Sequence, residues 1–125
     1  MEGKCIHLLE CRCNETTVVL DWAKTIGLFD SIEDTSSIAE QTKPIEGLCF
    51  VPAFNGLQTP IIDDQACSAF LGIKSNVSPA QMLRAILESI VYSIAEMWNL
   101  FSSEMVSHFS SANLKIRLYF VCSAI

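Results

Sequence analysis

Ser78-Pro79-Ala80-Gln81-Met82-Leu83-Arg84-Ala85-Ile86-Leu87-Glu88 opens the segment that decides the fold. Ser78 is a good helix N-cap, Pro79 suits the first helical position, and Gln81 completes a Ser-x-x-Gln capping box. Apolar residues then continue through Ile90, Val91, Ile94, Met97, Trp98 and Phe101. They cover well over half the circumference, which predicts a long helix buried on several sides. Arg84 and Glu88 form an i,i+4 pair on the remaining face, a weak one in this order. Ser102 to Asn113 reads as a polar linker, and Leu114 to Ile125 as strand-like.

Upstream, Gly47-Leu48-Cys49-Phe50-Val51-Pro52 is a short apolar run between glycine and proline, the pattern of a buried strand. Cys49 reads there as a small buried hydrophobe, as does Cys122 on the last strand. Asn55-Gly56 marks a turn. Gln58 to Asp64 is a loop, and Ala66 to Ile73 a second strand-like run. Thr16 can cap a helix ending at Gly27. A shorter helix starts near Asp34 or Thr35, carries Ile38 and Ala39 on its buried side, and stops before Pro44. Residues 5–9 are read as a short strand or an ill-ordered end. Strands and helices together give an α/β fold.

The chain has 125 residues, half of them hydrophobic and 18% charged. Its mean hydropathy is +0.36. Disordered, coiled-coil and collagen-like classes are excluded. The net charge of −6 argues against nucleic acid and anionic membrane surfaces as partners. A membrane span needs ~20 mostly apolar residues, and no charge-free run here escapes interruption by proline, glycine or glutamate. No signal peptide is evident, so a reducing, cytoplasmic location is expected. The composition is apolar for so small a domain, which points to missing chain or to a face buried against a partner.

His7-x3-Cys11-x-Cys13 is the single soft-ligand cluster. Its spacing is tight for structural zinc and it lacks a fourth ligand, so no metal site is assigned. Asp63-Asp64 could bind a cation or act as acid and base. A solvated turn is the better reading, because Asp favours turns through local hydrogen bonds. Glu88 beside Arg84 reads as a structural ion pair. Neither histidine completes a triad, and Ser89 sits mid-helix with no elbow.

Three ordered blocks carry a resemblance. Gly47-Leu48-Cys49-Phe50-Val51-Pro52-Ala53-Phe54-Asn55-Gly56-Leu57 resembles the strand and loop of glycerol kinases. Pro60-Ile61-Ile62-Asp63-Asp64-Gln65-Ala66 resembles their Pro-x-x-Asp-x-x-Ala loop. Ser68, Phe70, Gly72, Ile73, Gln81, Met82, Ala85, Ile86, Leu87 and Glu88 match the second signature of the FGGY carbohydrate kinases in type and spacing. Val18 to Ala23 is similar to the helix that carries the family's Gln-Trp-like pair.

The resemblance spans residues 14–118. It implies part of an actin-like (ribonuclease H-like) ATPase domain with a mixed sheet and one long buried helix. Residues 1–13 are then an N-terminal extension and 119–125 a divergent tail. It further implies ATP and Mg²⁺ as cofactors and glycerol or a similar polyol as substrate. Trp22 sets a register in which Thr17 and Asp21 stand at two nucleotide-side positions of the family, both substituted. The family's base is an aspartate upstream of the matched region, so no catalytic residue is assigned. Tyr119-Phe120-Val121-Cys122 stands where the family's Asp-Gly-Gly starts. The expectation is a segment or truncated form of a polyol kinase that is not catalytic by itself. The alternative is an interaction module that pairs with a full-length kinase or with itself.

Overall fold

The computed structural model describes residues 15–108. The elements in order are helix α1 (Glu15–Thr25), a 3-10 turn (Ile32–Asp34), α2 (Thr35–Gln41), strand β1 (Cys49–Val51), β2 (Ala69–Leu71) and α3 (Pro79–His108). The α/β class with one long helix is therefore observed. The expected strands at residues 5–9 and 114–125 lie outside the described residues, as does Cys122.

Helix α1 begins at Glu15, so Thr16 sits inside its first turn and is not the N-cap. Its end follows the sequence reading. Gly27 takes φ +79°, its N–H reaches the Lys24 carbonyl, and the Leu28 N–H reaches Ala23. This is a Schellman closure, which satisfies two last-turn carbonyls and needs a residue at ease with positive φ. Glu15, Val19 and Ala23 line the buried stripe of α1 at helical spacing.

Strands β1 and β2 pair antiparallel, with Cys49 opposite Leu71, Phe50 opposite Phe70 and Val51 opposite Ala69. Among the described residues the sheet is this antiparallel pair, not a mixed one. Side chains alternate across a strand, so Phe50 turns into the core while Cys49 faces out. Cys49 is exposed, contrary to the expectation of a buried thiol. Gly72 (φ +75°) closes β2 so near the chain that a Cβ there would collide with the Gly47 carbonyl.

Helix α3 packs on β1 and α2, with a lighter contact to α1. Its start is as expected. The Gln81 N–H donates to Ser78 Oγ (3.3 Å), and the Ser78 N–H donates to Gln81 Oε1 (2.9 Å). Leu83 and Ile86 are fully buried, beside Val19, Ala23, Phe29 and Phe50. Each such side chain contributes about 1.5–3 kcal/mol when fully buried.

Two expectations for α3 change. It is not buried throughout: Val91 is 62% exposed, Tyr92 68% and Trp98 50%. Its buried residues, Leu83, Ala85, Ile86 and Ser89, all precede Val91, and none from there to Ser103 is fully buried. Nor does it stop at Ser102, since it continues to His108. No glycine or proline follows Pro79 to break it, and Ser103 Oγ donates to the Leu100 carbonyl, which keeps that serine compatible with a helix.

Candidate functional site

The segment between the strands is held by three anchors. The Ala53 N–H donates to Ser68 Oγ at 2.7 Å. The Leu57 N–H donates to the Asp63 carbonyl (2.7 Å) and the Asp63 N–H returns to Leu57 (3.1 Å), closing the loop that contains the cis Thr59–Pro60 bond. The third anchor is Glu15, a residue almost fully buried at 4% exposure. Glu15 Oε2 accepts the Phe54 N–H, and Oε1 accepts both the N–H and the Nδ2 of Asn55, all at 3.1 Å. A carboxylate accepts only, so the Asn55 amide must present its NH₂ here. One buried acid from α1 thus clamps the turn after β1.

Trp22 lies on the same side. It stacks on Phe50 at 5.9 Å between ring centroids and meets Phe54 at 5.3 Å and Phe70 at 6.4 Å. Aromatic pairs at such distances add roughly 0.5–1.5 kcal/mol beyond area burial.

Two clefts flank this segment. One, of about 230 Å³, runs between loop residues Leu57 to Ile61 and the α3 residues Ser89, Tyr92, Ser93, Glu96 and Met97. The other is wider and more open, at about 730 Å³, between Ala53–Gly56 and Asp64–Ser68. Asp63 and Asp64 are exposed, and Asp64 lines this cleft. Asp63 Oδ1 accepts the Gln65 N–H (3.0 Å) and Asp64 Oδ1 the Gln65 side chain (3.3 Å), a self-contained turn as the sequence suggests. Among the described residues no three His, Cys, Asp or Glu groups converge to hold a metal. His7, Cys11 and Cys13 lie outside the described residues.

The signature residues divide by role. Ser68 holds Ala53, Phe70 joins the aromatic group, and Gly72 makes the close backbone approach. Gln81 caps α3, Ala85 and Ile86 are buried, Leu87 packs against the core, and Met82 is half-buried. Ile73 is exposed. Glu88 pairs with Arg84 Nε at 2.7 Å, as expected. Arg84 also donates from Nη1 to the carbonyls of Ala39 (2.8 Å) and Thr42 (2.6 Å), capping the C-terminus of α2. Ser89 Oγ donates to the Ile86 carbonyl and faces no base.

Thr17 and Asp21 stand one turn apart on α1, the first half-buried and the second exposed. Neither hydrogen-bonds to the Glu15 side chain, whose partners are Phe54 and Asn55. Glu15 itself escaped sequence reasoning. The available signal was an acid in the first turn of α1, which looks like a helix-dipole residue. Its true partners are about 40 positions away.

The sequence profile of the FGGY family of carbohydrate kinases, C-terminal domain, matches residues 6–115. The chain belongs to the FGGY carbohydrate kinases and forms a glycerol kinase-like part of their C-terminal domain. It is 36% identical over 100 residues to Glycerol kinase 5 of Homo sapiens, covering 80% of this chain and 19% of that protein. It is 33% identical over 97 residues to Glycerol kinase of Thermus brockianus, covering 78% of this chain and 20% of the relative. Plasmodium falciparum glycerol kinase, solved with ADP, superposes with a TM-score of 0.69 at 28% identity, over 73% of this chain and 18% of that one. The chain thus spans about a fifth of the relatives it matches. The neighbours share the actin-like ATPase fold. No described helix is long and apolar enough to cross a membrane.

Proposed function

We propose that the chain is a segment or truncated form of an ATP-dependent polyol kinase that converts glycerol to glycerol 3-phosphate, and that these 125 residues alone do not catalyse the transfer. The observation that carries this reading is the run of glycerol kinase-like blocks from Gly47 to Glu88, matched within an alignment covering 80% of the chain. Residues 14–118 form the kinase segment, with 1–13 as an extension and 119–125 as a divergent tail. In the reaction a glycerol hydroxyl attacks the γ-phosphorus of ATP and ADP leaves. Positioned groups and Mg²⁺ stabilise the transferring phosphoryl charge.

Five glycines occur in the whole chain and none are clustered, so these residues hold no glycine-rich phosphate cradle. Thr17 and Asp21 stand at nucleotide-side positions by resemblance. A carboxylate such as Asp21 can face phosphate only with Mg²⁺ between them. The purified chain is expected to make no glycerol 3-phosphate from Mg²⁺-ATP and glycerol, and to bind ATP more weakly than the micromolar range in calorimetry. Turnover above a boiled control, or micromolar binding, would overturn the reading.

The exposed half of α3 favours a second reading, in which the chain acts by pairing with a full-length kinase of its family. Val91 and Trp98 lie seven residues apart on that helix, and both are largely exposed. Contiguous apolar faces of this kind mark interaction surfaces. Mixing the purified chain with a purified full-length glycerol kinase and measuring mass by light scattering tests it. Two independent peaks would refute pairing. A cytoplasmic location belongs to the same proposal and follows from the kinase assignment.

A further inference from the structure

We infer that Asn55 is a spontaneous deamidation site guarded by Glu15, and that its conversion to a carboxylate unlatches the turn after β1. Asn55 precedes Gly56, and a glycine offers no side chain to hinder attack by its own backbone nitrogen. Asparagine is among the thermolabile residues, and such a neighbour favours the reaction. Asn55 is exposed and lines the wider cleft, so water reaches it.

The chemistry is self-contained. Gly56 N loses its proton to solvent hydroxide and attacks Asn55 Cγ. The new C–N bond forms as the Cγ–Nδ2 bond breaks, and Nδ2 leaves as ammonia. The resulting succinimide adds water at one of its two carbonyls. Opening at Cγ gives aspartate, and opening at the main-chain carbonyl gives isoaspartate. The balance is asparagine plus water to the acid plus ammonia, with no oxidant or metal.

The folded turn opposes each part of that step. Nδ2, the leaving group, is fastened to Glu15 Oε1, and so is the Asn55 N–H, both at 3.1 Å. The Gly56 N–H is engaged by the Ala53 carbonyl at 3.3 Å. Gly56 is buried, and Asp63 and Asp64 backbone atoms crowd it. The ring therefore closes chiefly from a locally opened state. Once Asn55 is an acid, its carboxylate stands where its NH₂ met the buried Glu15 carboxylate. Two carboxylates sharing one site repel. The anchor is lost, and isoaspartate also lengthens the backbone there. The first conversion thus exposes the turn further.

Deamidation of the 125-residue chain is followed at mildly alkaline pH by peptide mapping that separates asparagine, aspartate and isoaspartate at position 55. The folded wild type is expected to convert about tenfold or more slowly than the same chain in urea, since charged hydrogen bonds of this kind hold the turn shut. Glu15→Gln, which keeps the shape but removes an acceptor, is expected to convert severalfold faster than wild type under folding conditions. Equal rates for wild type and Glu15→Gln, both shown folded by circular dichroism, would overturn the guard. The consequence is read with Asn55→Asp, which should raise the unfolding equilibrium constant about tenfold, and by less in a Glu15→Gln background. An Asn55→Asp variant as stable as wild type would overturn the unlatching.

Discussion

Replacing Arg84 by Met tests whether this side chain serves its helix or joins two. Met keeps the apolar stem and removes the guanidinium. Within α3, Arg84 has one partner, Glu88, and the two side chains are 28% and 37% exposed. An exposed i,i+4 pair is worth about 0.3–0.5 kcal/mol. Across to α2, Nη1 donates to Ala39 O at 2.8 Å and Thr42 O at 2.6 Å. Those carbonyls close a seven-residue helix whose last turn has no basic residue of its own. Hydrogen bonds from a charged donor contribute about 1.5–3 kcal/mol, and water recovers part of this at a partly exposed site. Arg84→Met is therefore expected to cost about 2–3 kcal/mol, and Glu88→Gln about 0.5 kcal/mol or less. Arg84→Lys should fall between them, because one ammonium cannot reproduce the fork. Urea unfolding of the 125-residue chain, followed by far-UV circular dichroism, measures all three. If Glu88→Gln costs as much as Arg84→Met, the inter-helix clamp is refuted and the ion pair is the seat of the effect.

Four further outcomes follow from the geometry. Gly72→Ala should destabilise by about 2 kcal/mol or more, because positive φ and a backbone collision act together. Gly27→Ala has open space around its Cβ and should cost only about 1 kcal/mol, as paired urea titrations will show. Trp98 is half exposed whereas Trp22 sits among three rings, so acrylamide should quench Trp22→Phe, which retains Trp98, more strongly than Trp98→Phe. The Ser31 hydroxyl donates to the Glu33 carboxylate and holds its pKa below the usual carboxylate value. That preference stabilises the folded chain above the unfolded pKa of Glu33 and is lost as pH falls through the folded value. Ser31→Ala should shift the Glu33 titration upward in carboxyl NMR and remove this small acid-side dependence.

What was legible in the sequence is what nearest neighbours decide. Ser78, Pro79 and Gln81 announced the start of α3, and Gly27 announced the end of α1, because caps are made within four or five residues. The strands at Cys49–Val51 and Ala69–Leu71 followed from short apolar runs, although their pairing shows only in three dimensions. The family blocks were legible too, since order and spacing along the chain carry them. Contacts between distant segments were not. Glu15 carries no signal along the chain beyond an acid in a first helical turn, yet it is a buried clamp on Asn55. Arg84 looked like a partner for Glu88 and also binds α2. An apolar run cannot say whether its second face will be covered, and at Cys49 it is not. The α3 reading failed past Ile90 for the same reason: periodicity reports what a helix can bury, not what is there to bury it.

Helix α3 has a mechanical consequence. Thirty residues at 1.5 Å rise make a rod about 45 Å long, while a compact body of this many residues is only about 30 Å across. Its buried residues, Leu83, Ala85, Ile86 and Ser89, lie in its first half, and from Val91 to Ser103 no residue is fully buried, like a beam held mainly at one end. Amide protons along it should therefore exchange on a gradient, slowest near Leu83 and Ile86 and faster with each turn beyond Val91. A strut added anywhere along the second half would flatten that gradient, making hydrogen exchange on one helix a position-resolved gauge of anything that braces it.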